Sequence, residues 1–410
     1  MTGEQQHQHS EGAASDPVVP STGPADAEWE ARIEAIRRLI DVDPNAGGQQ
    51  AATAADEASA RGDFDRESRL RYLAGIGFLR KKSAVEAAVH FHRAISTAQA
   101  IGRLDLEAHH LAGLGSTHSL MGDFSAAINC YERALILQSA QPQLTEDGRL
   151  RAKLLNHLGV TLSQMGLPDK AVLQFQQACG HYLRLGEPYP AATCLGNCAE
   201  AYIDRAERLS QQSSDMRPEA AAAARAAREL AAQVVADPAV PAADVVSLNA
   251  RVTIVRALTI LGDCVTALEE LNLIDQDLIG EAHRSFFRVD RRTLQARLLR
   301  LTGHAVEAIA ELQAAPLGDL PAPDRIRVLD ELVAAQEAAG DLAGALTSFR
   351  RYHELTLQAR DQSAEQRGQV LNARLELERA QHKAEIERLR AEQLTLRNEE
   401  LARQAHMDAL

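Results

Sequence analysis

Aromatic residues, an excess of basic residues and long apolar runs are all lacking in this chain of 410 residues. Aromatics make up 4% of the chain, while alanine, leucine and arginine dominate, a composition typical of packed helices rather than of strands. The formal net charge of -13 leaves no basic surplus to neutralise phosphates. The sequence therefore argues against non-specific binding to nucleic acid or to anionic membranes.

Targeting and membrane-spanning signals are missing as well. No apolar run approaches the ~20 residues that a membrane span needs, and the N-terminus lacks the basic-then-apolar order of a signal peptide. These absences predict a cytoplasmic protein without a membrane partner.

Catalytic and metal-binding signals are equally scarce. We find no glycine-rich phosphate loop, no Gly-x-Ser-x-Gly and no His-Glu-x-x-His, so the chain as given is predicted not to be an enzyme. Among the five cysteines, Cys194 and Cys198 lie one helical turn apart, whereas a zinc site usually has a tighter Cys-x2-Cys on a turn. Buried thiols are favoured over a metal site, and neither a metal nor a cofactor is predicted.

What the chain does contain is a repeated pattern of small residues. In the stretch LGSTHSLMGDFSAAINCYERA the pattern occupies Gly115, Gly122, Ala127, Tyr131 and Ala134. These spacings predict two packed helices: Gly115 and Ala127 let the backbones approach, a Gly-Asp turn separates the helices, and Tyr131 fills the gap to the next unit. Such a hairpin cannot bury its apolar faces alone.

Further copies begin near Gly75 and Gly159, and later ones keep the turn at Gly262, Gly303 and Gly340. The pattern resembles the tetratricopeptide repeat (TPR). The resemblance implies an all-α fold: a TPR-like α-solenoid of helical hairpins, followed here by a long C-terminal coiled-coil helix.

The resemblance also implies a binding surface, because the first helix of each hairpin lines the concave face. The polar candidates for contact with a protein or peptide partner are Arg69, Tyr72, His109, Ser116, Lys153, Asn156, Ser163, Gln164, Asn197 and Glu200. Lys153, Asn156 and Asn197 are similar to residues with which some TPR domains clamp a peptide carboxylate, although no full clamp is present. A solvated groove is the alternative for each residue taken singly.

The C-terminal segment from Thr356 is dense in Glu, Arg, Gln and Leu, which favours a long exposed helix. One heptad seam predicts a homodimer through Val370, Leu377, Ala384, Ala391, Leu394, Asn398 and Leu401. A rival seam runs through Leu375, His382, Ile386, Leu389 and Leu396, so the coil has a stutter or can switch register. A single helix folding back on the solenoid is the alternative.

The last residues, NEELARQAHMDAL, resemble the junction where a signalling helix enters a GGDEF domain of the diguanylate cyclase family. Asp408 and Leu410 match the Asp-x-Leu that opens that catalytic domain. No Gly-Gly-Asp-Glu-Phe occurs in the chain, so these residues alone should not make cyclic di-GMP. The resemblance implies that a full-length parent could be a diguanylate cyclase.

These observations predict the following division of the chain: a disordered tail at 1–26, N-terminal capping helices at 27–64, a TPR-like superhelix at 65–352 with an inserted loop near 207–218, a coiled-coil signalling helix at 353–405, and the start of a truncated GGDEF-like domain at 406–410. The main functional hypothesis is a cytoplasmic sensor and dimerisation module that regulates an attached output domain in cyclic di-GMP signalling. The alternative is a stand-alone TPR scaffold or adaptor that binds a peptide partner.

Overall fold

The computed structural model describes residues 24–140, 148–212, 214–242, 244–274 and 281–362, together with isolated positions up to residue 379. The described residues are built from helices joined by short turns, and no strand occurs among them. Each helix packs mainly on its neighbours along the chain. The predicted all-α, TPR-like solenoid is therefore confirmed.

Successive helices pair as hairpins, each with a first and a second member. The first helices are α1 (Pro24–Val42), α3 (Phe64–Arg80), α5 (Leu104–Leu120), α7 (Gly148–Gln164), α9 (Pro188–Gln212), α11 (Val245–Leu261), α13 (Glu281–Leu301) and α15 (Ala322–Ala338). The second helices are α2 (Pro44–Ala60), α4 (Ala84–Ala100), α6 (Phe124–Ala140), α8 (Pro168–Arg184), α10 (Arg217–Ala236), α12 (Cys264–Asn272), α14 (Ala305–Gln313) and α16 (342–362).

The Gly-Asp turn ends one helix and starts the next. Gly122 has φ +73°, a left-handed conformation that glycine adopts without a Cβ penalty. The Asp123 carboxylate then accepts a hydrogen bond from the Ala126 N–H at 3.2 Å and so caps the start of α6. In the turn between α3 and α4, where the sequence has no glycine, Lys82 takes the left-handed conformation instead with φ +63°.

Gly115 makes room for an aromatic ring. A Cβ on this residue would lie 2.5 Å from the Tyr131 ring, and the ring continues outward to stack on His157 of α7 with centroids 6.0 Å apart. The small residue therefore admits a side chain of its own hairpin, rather than the backbone-to-backbone approach predicted from the spacing. Tyr131 joins α5 and α6 to the following hairpin.

The apolar core runs along the array as successive clusters of buried side chains. One cluster of buried side chains extends from Ala87 in α4 to Ala201 in α9, and a second continues from Ala199 to Leu298 in α13. At the N-terminal end, Ile33, Ile36 and Ile40 are buried. Hairpins that share one of these clusters stabilise one another, as stacked repeats do.

The segment predicted as an inserted loop near 207–218 is largely helical. Helix α9 has 25 residues, whereas α3, α5 and α7 have 17 each. A short 3-10 turn at Ser214–Met216 follows, and α10 begins at Arg217. The insertion thus lengthens this hairpin, with consequences for the candidate site described below.

Both ends of the chain extend past the described residues. Helix α1 begins at Pro24, earlier than the predicted boundary at residue 27, and most of the predicted tail lies outside the described part. The same holds for the GGDEF-like junction and for the seam residues Val370, Leu377, Ala384, Ala391, Leu394, Asn398 and Leu401. Within the part of the chain that the structure describes, no helix is long and apolar enough to cross a membrane.

Candidate functional site

Two adjoining cavities lie between the first helices of the C-terminal hairpins. The first cavity has a volume of about 310 Å³ and is lined by α9, α11, α13 and α15. The second cavity, of about 700 Å³, is lined by the C-terminal parts of α9, α11 and α13, by the middle of α15 and by the start of α10. The extension of α9 and α10 therefore supplies one wall of the second cavity.

Charged side chains dominate the first cavity. Its lining includes the carboxylates of Glu200, Asp204, Glu207, Asp290, Asp330 and Glu331 and the guanidiniums of Arg256, Arg297 and Arg327. Six acids against three bases make this a surface of negative charge.

Arg256 is the centre of the charge network. Its Nη2 donates to Asp204 Oδ1 at 2.9 Å and to Glu207 Oε2 at 2.8 Å, while Nε donates to Glu207 Oε1 at 3.0 Å. Desolvation alone would raise the pKa of Glu207, but the hydrogen bond and charge of Arg256, together with the charge of Arg297, outweigh it and the pKa is lowered. The bidentate contact fixes α11 against α9.

A second set of ion pairs joins α13 to α15. Glu331 is 3% exposed and accepts hydrogen bonds from Arg297 Nε at 2.9 Å and Arg300 Nε at 2.8 Å. Asp290 pairs with Arg327, yet desolvation keeps the Asp290 pKa raised. The three guanidiniums of the first cavity are thus all engaged by carboxylates.

Two carboxylates of the first cavity differ from the others because they form no ion pair within the described part of the chain. Glu200 and Asp330 make no ion pair with any residue in the described ranges. Desolvation by the groove walls, reinforced by the charge of Asp204, raises the pKa of Glu200. Desolvation and the neighbouring Glu331 do the same for Asp330. Among the described residues, neither carboxylate forms an ion pair that a ligand would have to displace, although the charge of Arg256 acts on Glu200 and those of Arg297 and Arg300 act on Asp330.

Of the residues predicted from the sequence, Glu200 alone lines the first cavity. Asn156 and Asn197 come together, with Asn197 Nδ2 donating to Asn156 Oδ1 at 2.9 Å between α7 and α9. Gln164 Oε1 accepts a hydrogen bond from Ser119 at 3.0 Å and links α7 to α5. These amides hold first helices together, one hairpin to the next.

The other predicted residues are distributed over the N-terminal hairpins. Arg69 forms two 2.8 Å hydrogen bonds to Glu30 of α1. The His109 ring nitrogen lies 2.9 Å from the carbonyl oxygen of Asp105, and Ser116 donates to the Ala112 carbonyl at 3.0 Å.

The remaining three have no ionic partner in the described part of the chain. Tyr72 is half-buried and stacks on His110 with ring centroids 5.1 Å apart. Lys153 is exposed, although desolvation by surrounding helices and then the charge of Arg80 lower its pKa. Ser163 is half-buried on α7. No single cavity brings the predicted set together.

The sequence contained a signal for the missed arginines. Arg256 and Arg297 each precede their turn glycine by six residues, as Ser116 does in the clearest repeat. The predicted set ends at Glu200, although the later first helices keep the same spacing, with Val255 and Ala296 at the contact position. Extending the spacing would have placed both arginines on the inner face.

A buried histidine lies in the N-terminal half. The Ser68 hydroxyl donates to the Ala94 carbonyl at 3.0 Å, so at 2.9 Å it must accept from His110 Nε2. The Nδ1 atom of His110 is buried and has no hydrogen-bond partner. A second proton would therefore create an unpaired charged N–H in the core, and desolvation lowers the His110 pKa to about 3.

This arrangement predicts that acid destabilises the array. Because the folded-state pKa values of His110, His157 and His90 lie below their unfolded value of 6.5, the unfolded chain binds more protons as pH falls from 6.5 toward 4. Each such histidine then removes up to about 1.4 kcal/mol of stability per pH unit in that window. Urea denaturation followed by circular dichroism should show a smaller pH slope for His110→Gln than for the wild type and than for His109→Gln, a substitution of the exposed neighbouring histidine. Equal slopes for the two variants would contradict the assignment.

The cysteines support packing rather than chemistry. Cys194 and Cys198 are buried in apolar clusters, and burial raises the pKa of both thiols to about 12. Neither is a thiolate at neutral pH, which a metal ligand or nucleophile requires. Among the residues that the structure describes, no group of His, Cys, Asp and Glu has metal-binding geometry.

Comparisons with known proteins agree with the helical-repeat fold. The family model for the tetratricopeptide repeat matches residues 111–140, a range that contains the stretch with the clearest pattern. A search among curated protein sequences gave no match.

Several solved structures share the fold at low sequence identity. The apo form of RapI aligns with a TM-score of 0.58 at 13% identity, covering 84% of this chain and 90% of that one. A Rap protein complexed with Competence and Sporulation Factor aligns with a TM-score of 0.50 at 14% identity. The alignment covers 85% of this chain and 90% of the Rap protein. NprR in complex with its cognate peptide NprX aligns with a TM-score of 0.50 at 11% identity. The alignment covers 83% of this chain and 89% of the NprR chain. The chain is thus similar in fold to these proteins over most of its length.

Proposed function

We propose that this chain is a TPR-like interaction module that binds a short peptide along the first and second cavities. The observation that carries the proposal is the pair of adjoining cavities on the first helices, whose charged walls are held by ion pairs. Fold neighbours support it, because the NprR structure contains a cognate peptide and a Rap structure contains Competence and Sporulation Factor. This reading corresponds to the adaptor alternative of the sequence analysis.

The size and rigidity of the site agree with a ligand of this kind. Both volumes fall within the range of roughly 300–1,000 Å³ that is typical of ligand pockets. The ion pairs of Arg256 and Glu331 hold the walls in place before a ligand arrives, which lowers the entropy lost on binding. No catalytic arrangement is needed, and the expectation that this chain is not an enzyme stays part of the proposal.

Filling the first cavity should abolish binding. Asn249 is an exposed lining residue of α11 outside the ion pairs, so Asn249→Trp occupies the cavity and leaves the charge network intact. We expect the wild-type chain to retain members of a random linear pentapeptide library, identified by mass spectrometry, with dissociation constants near micromolar when remade singly. The variant should lose them.

Gln233→Trp is the matched control, because Gln233 is exposed on the second helix α10 and lines neither cavity. It should bind as the wild type does. A wild-type chain that retains no peptide, or an Asn249→Trp variant that binds unchanged, would overturn the proposed function.

A second candidate function is the regulation of an attached output domain through the C-terminal helix. It is supported by the match of Asp408 and Leu410 to the opening of a GGDEF domain and by the heptad seam that precedes it. Peptide binding would then be conveyed along a dimeric coil whose two seams compete.

The dimer can be tested by solution mass. Light scattering over a concentration series should give a dimer for the wild-type chain and a monomer for the double substitution Leu394→Asp and Leu401→Asp, because two charges per helix would enter the apolar seam. Thr395→Asp, off both seams, should remain dimeric. A dimer that survives the double substitution would rule out this seam.

A further inference from the structure

The last helix of the array, α16, leaves an apolar stripe exposed. The side chains of Leu342, Leu346 and Phe349 are 71%, 53% and 48% exposed. Their spacing of four and three residues puts them on one side of the helix, and together they form what we call the α16 stripe. The adjacent side of the helix is buried: Ala345 is enclosed, and Tyr352 packs on the apolar cluster of α13, α14 and α15. The described part of the chain therefore leaves the stripe uncovered.

The same position is covered in five earlier hairpins. Phe349 and Tyr131 each follow their turn glycine by nine positions. Tyr131 is 1% exposed, because the next hairpin covers it and its ring stacks on His157 there. The other four side chains at this position are also at most 1% exposed, namely Phe91, Phe175, Leu271 and Leu312. Phe349 thus occupies a packing position for which the described residues supply no following hairpin.

The spacing of the α16 stripe matches the predicted dimer seam. The residues at seven-residue intervals after Leu342 are Phe349, Thr356, Ser363, Val370 and Leu377, of which the last two belong to the seam. Every described position from 342 to 379 is helical, and residues seven apart stay on one line in a two-stranded coiled coil. Seven-residue steps back from Leu375 of the rival seam lead instead to Thr347, outside the stripe. A second copy that pairs along the predicted seam therefore also faces the stripe.

We propose that the α16 stripe binds the α16 stripe of a second copy, so that the dimer interface begins on the last hairpin of the array. In a parallel two-fold dimer, Leu342 and Phe349 then lie opposite their own copies. The inference rests on the coiled-coil dimer of the second candidate function and adds a contact outside the coil and outside both cavities. Because Thr356 and Ser363 are polar, the stripe and the seam are separate apolar contacts, and each can be removed without the other.

Two pairs of aspartates, shifted by one residue along α16, test the contact. The first variant combines Leu342→Asp with Leu346→Asp, and the control combines Ala343→Asp with Thr347→Asp, about 100° further around the helix. All four residues are exposed, so neither pair enters the core. Light scattering of the full chain over a concentration series should give a dimer dissociation constant at least about tenfold higher for the first variant, because four leucines leave the interface and four carboxylates enter it. The control should keep the wild-type constant.

A crosslink tests the symmetry of the contact. Under mild oxidation, Leu342→Cys should form a disulfide with its own copy and run as a dimer on a non-reducing gel. Ala343→Cys, one residue away and also exposed, should stay at the level of the wild-type chain with its native cysteines. A chain that covers the stripe with its own C-terminal residues would form no such crosslink.

The outcomes separate this contact from the other proposals. A monomeric wild-type chain would overturn the stripe contact together with the coiled-coil dimer, and would leave peptide binding untouched. A wild-type dimer whose dissociation constant is equal in the two aspartate variants would overturn the stripe contact alone. A dimeric chain in which Leu342→Cys does not crosslink above the Ala343→Cys level would overturn it as well.

Discussion

Replacing Arg256 with methionine is expected to destabilise the C-terminal hairpins by about 3 kcal/mol, because two carboxylates lose their shared counter-charge. Asp204 and Glu207 lie 2.8 to 3.0 Å from the guanidinium, and the Arg256 side chain is 20% exposed. The carboxylates would then repel each other across the wall of the first cavity. Since repeat arrays unfold locally, hydrogen exchange of α9 and α11 amides is the appropriate measurement.

The matched control is an arginine of α9, the helix that carries Asp204 and Glu207. Arg205 of α9 pairs with Asp169 at 2.8 Å, but the two side chains are 41% and 70% exposed. Exposed pairs contribute roughly 0–1 kcal/mol, so Arg205→Met should leave amide protection almost unchanged. Adding Asp204→Asn and Glu207→Gln to the Arg256 variant should restore part of the lost protection by removing the stranded charges. Equal effects of the two arginine substitutions would mean that the network does not organise the site.

The repeat architecture could be predicted from the sequence because each hairpin carries its own local signals. Gly122 and Asp123 mark a left-handed turn followed by a capped helix, and the structure uses both as their chemistry requires. The spacing also singled out Gly115 and Tyr131, which the structure places in contact, although the sequence paired Gly115 with Ala127. Two arrangements need a small residue at this position: an aromatic ring packed over a glycine, and two helix backbones in contact. The spacing alone could not distinguish between them.

The site was harder to predict because ion pairs form between hairpins that are distant in the chain. Arg256 meets Glu207, 49 residues away, and Arg327 meets Asp290, 37 residues away. Single charges on a helix surface do not reveal such partners. The concave candidates were chosen as free polar groups, yet Asn156 and Asn197 bind each other. Which polar side chains are left without a protein partner becomes visible only when the helices are packed together. Among the described residues, Glu200 in the first cavity is one of these side chains.

Gly115→Val should destabilise the N-terminal half by about 3 kcal/mol, at the upper end of the usual range for overpacking. A Cβ here would already stand 2.5 Å from Tyr131 Cε1, and valine adds two further methyl groups. The ring cannot withdraw easily, because Tyr131 is 1% exposed and lies between Gly115 and His157. Urea denaturation followed by far-ultraviolet circular dichroism measures the loss.

Gly196→Ala tests whether this cost comes from the ring rather than from glycine as such. Gly196 lies within α9, and a Cβ there would meet nothing within 4 Å, so alanine should stabilise the chain by about 0.5–1 kcal/mol through helix propensity. The double variant Gly115→Val with Tyr131→Ala should lose less free energy of unfolding than the sum of the two single substitutions. Removing the ring removes the clash with valine, and the valine side chain occupies part of the space that the ring leaves. Additive costs would mean that the glycine and the ring act independently. Gly159 and Phe175 stand in the same relation at 2.6 Å, so the same coupling is expected one hairpin further along.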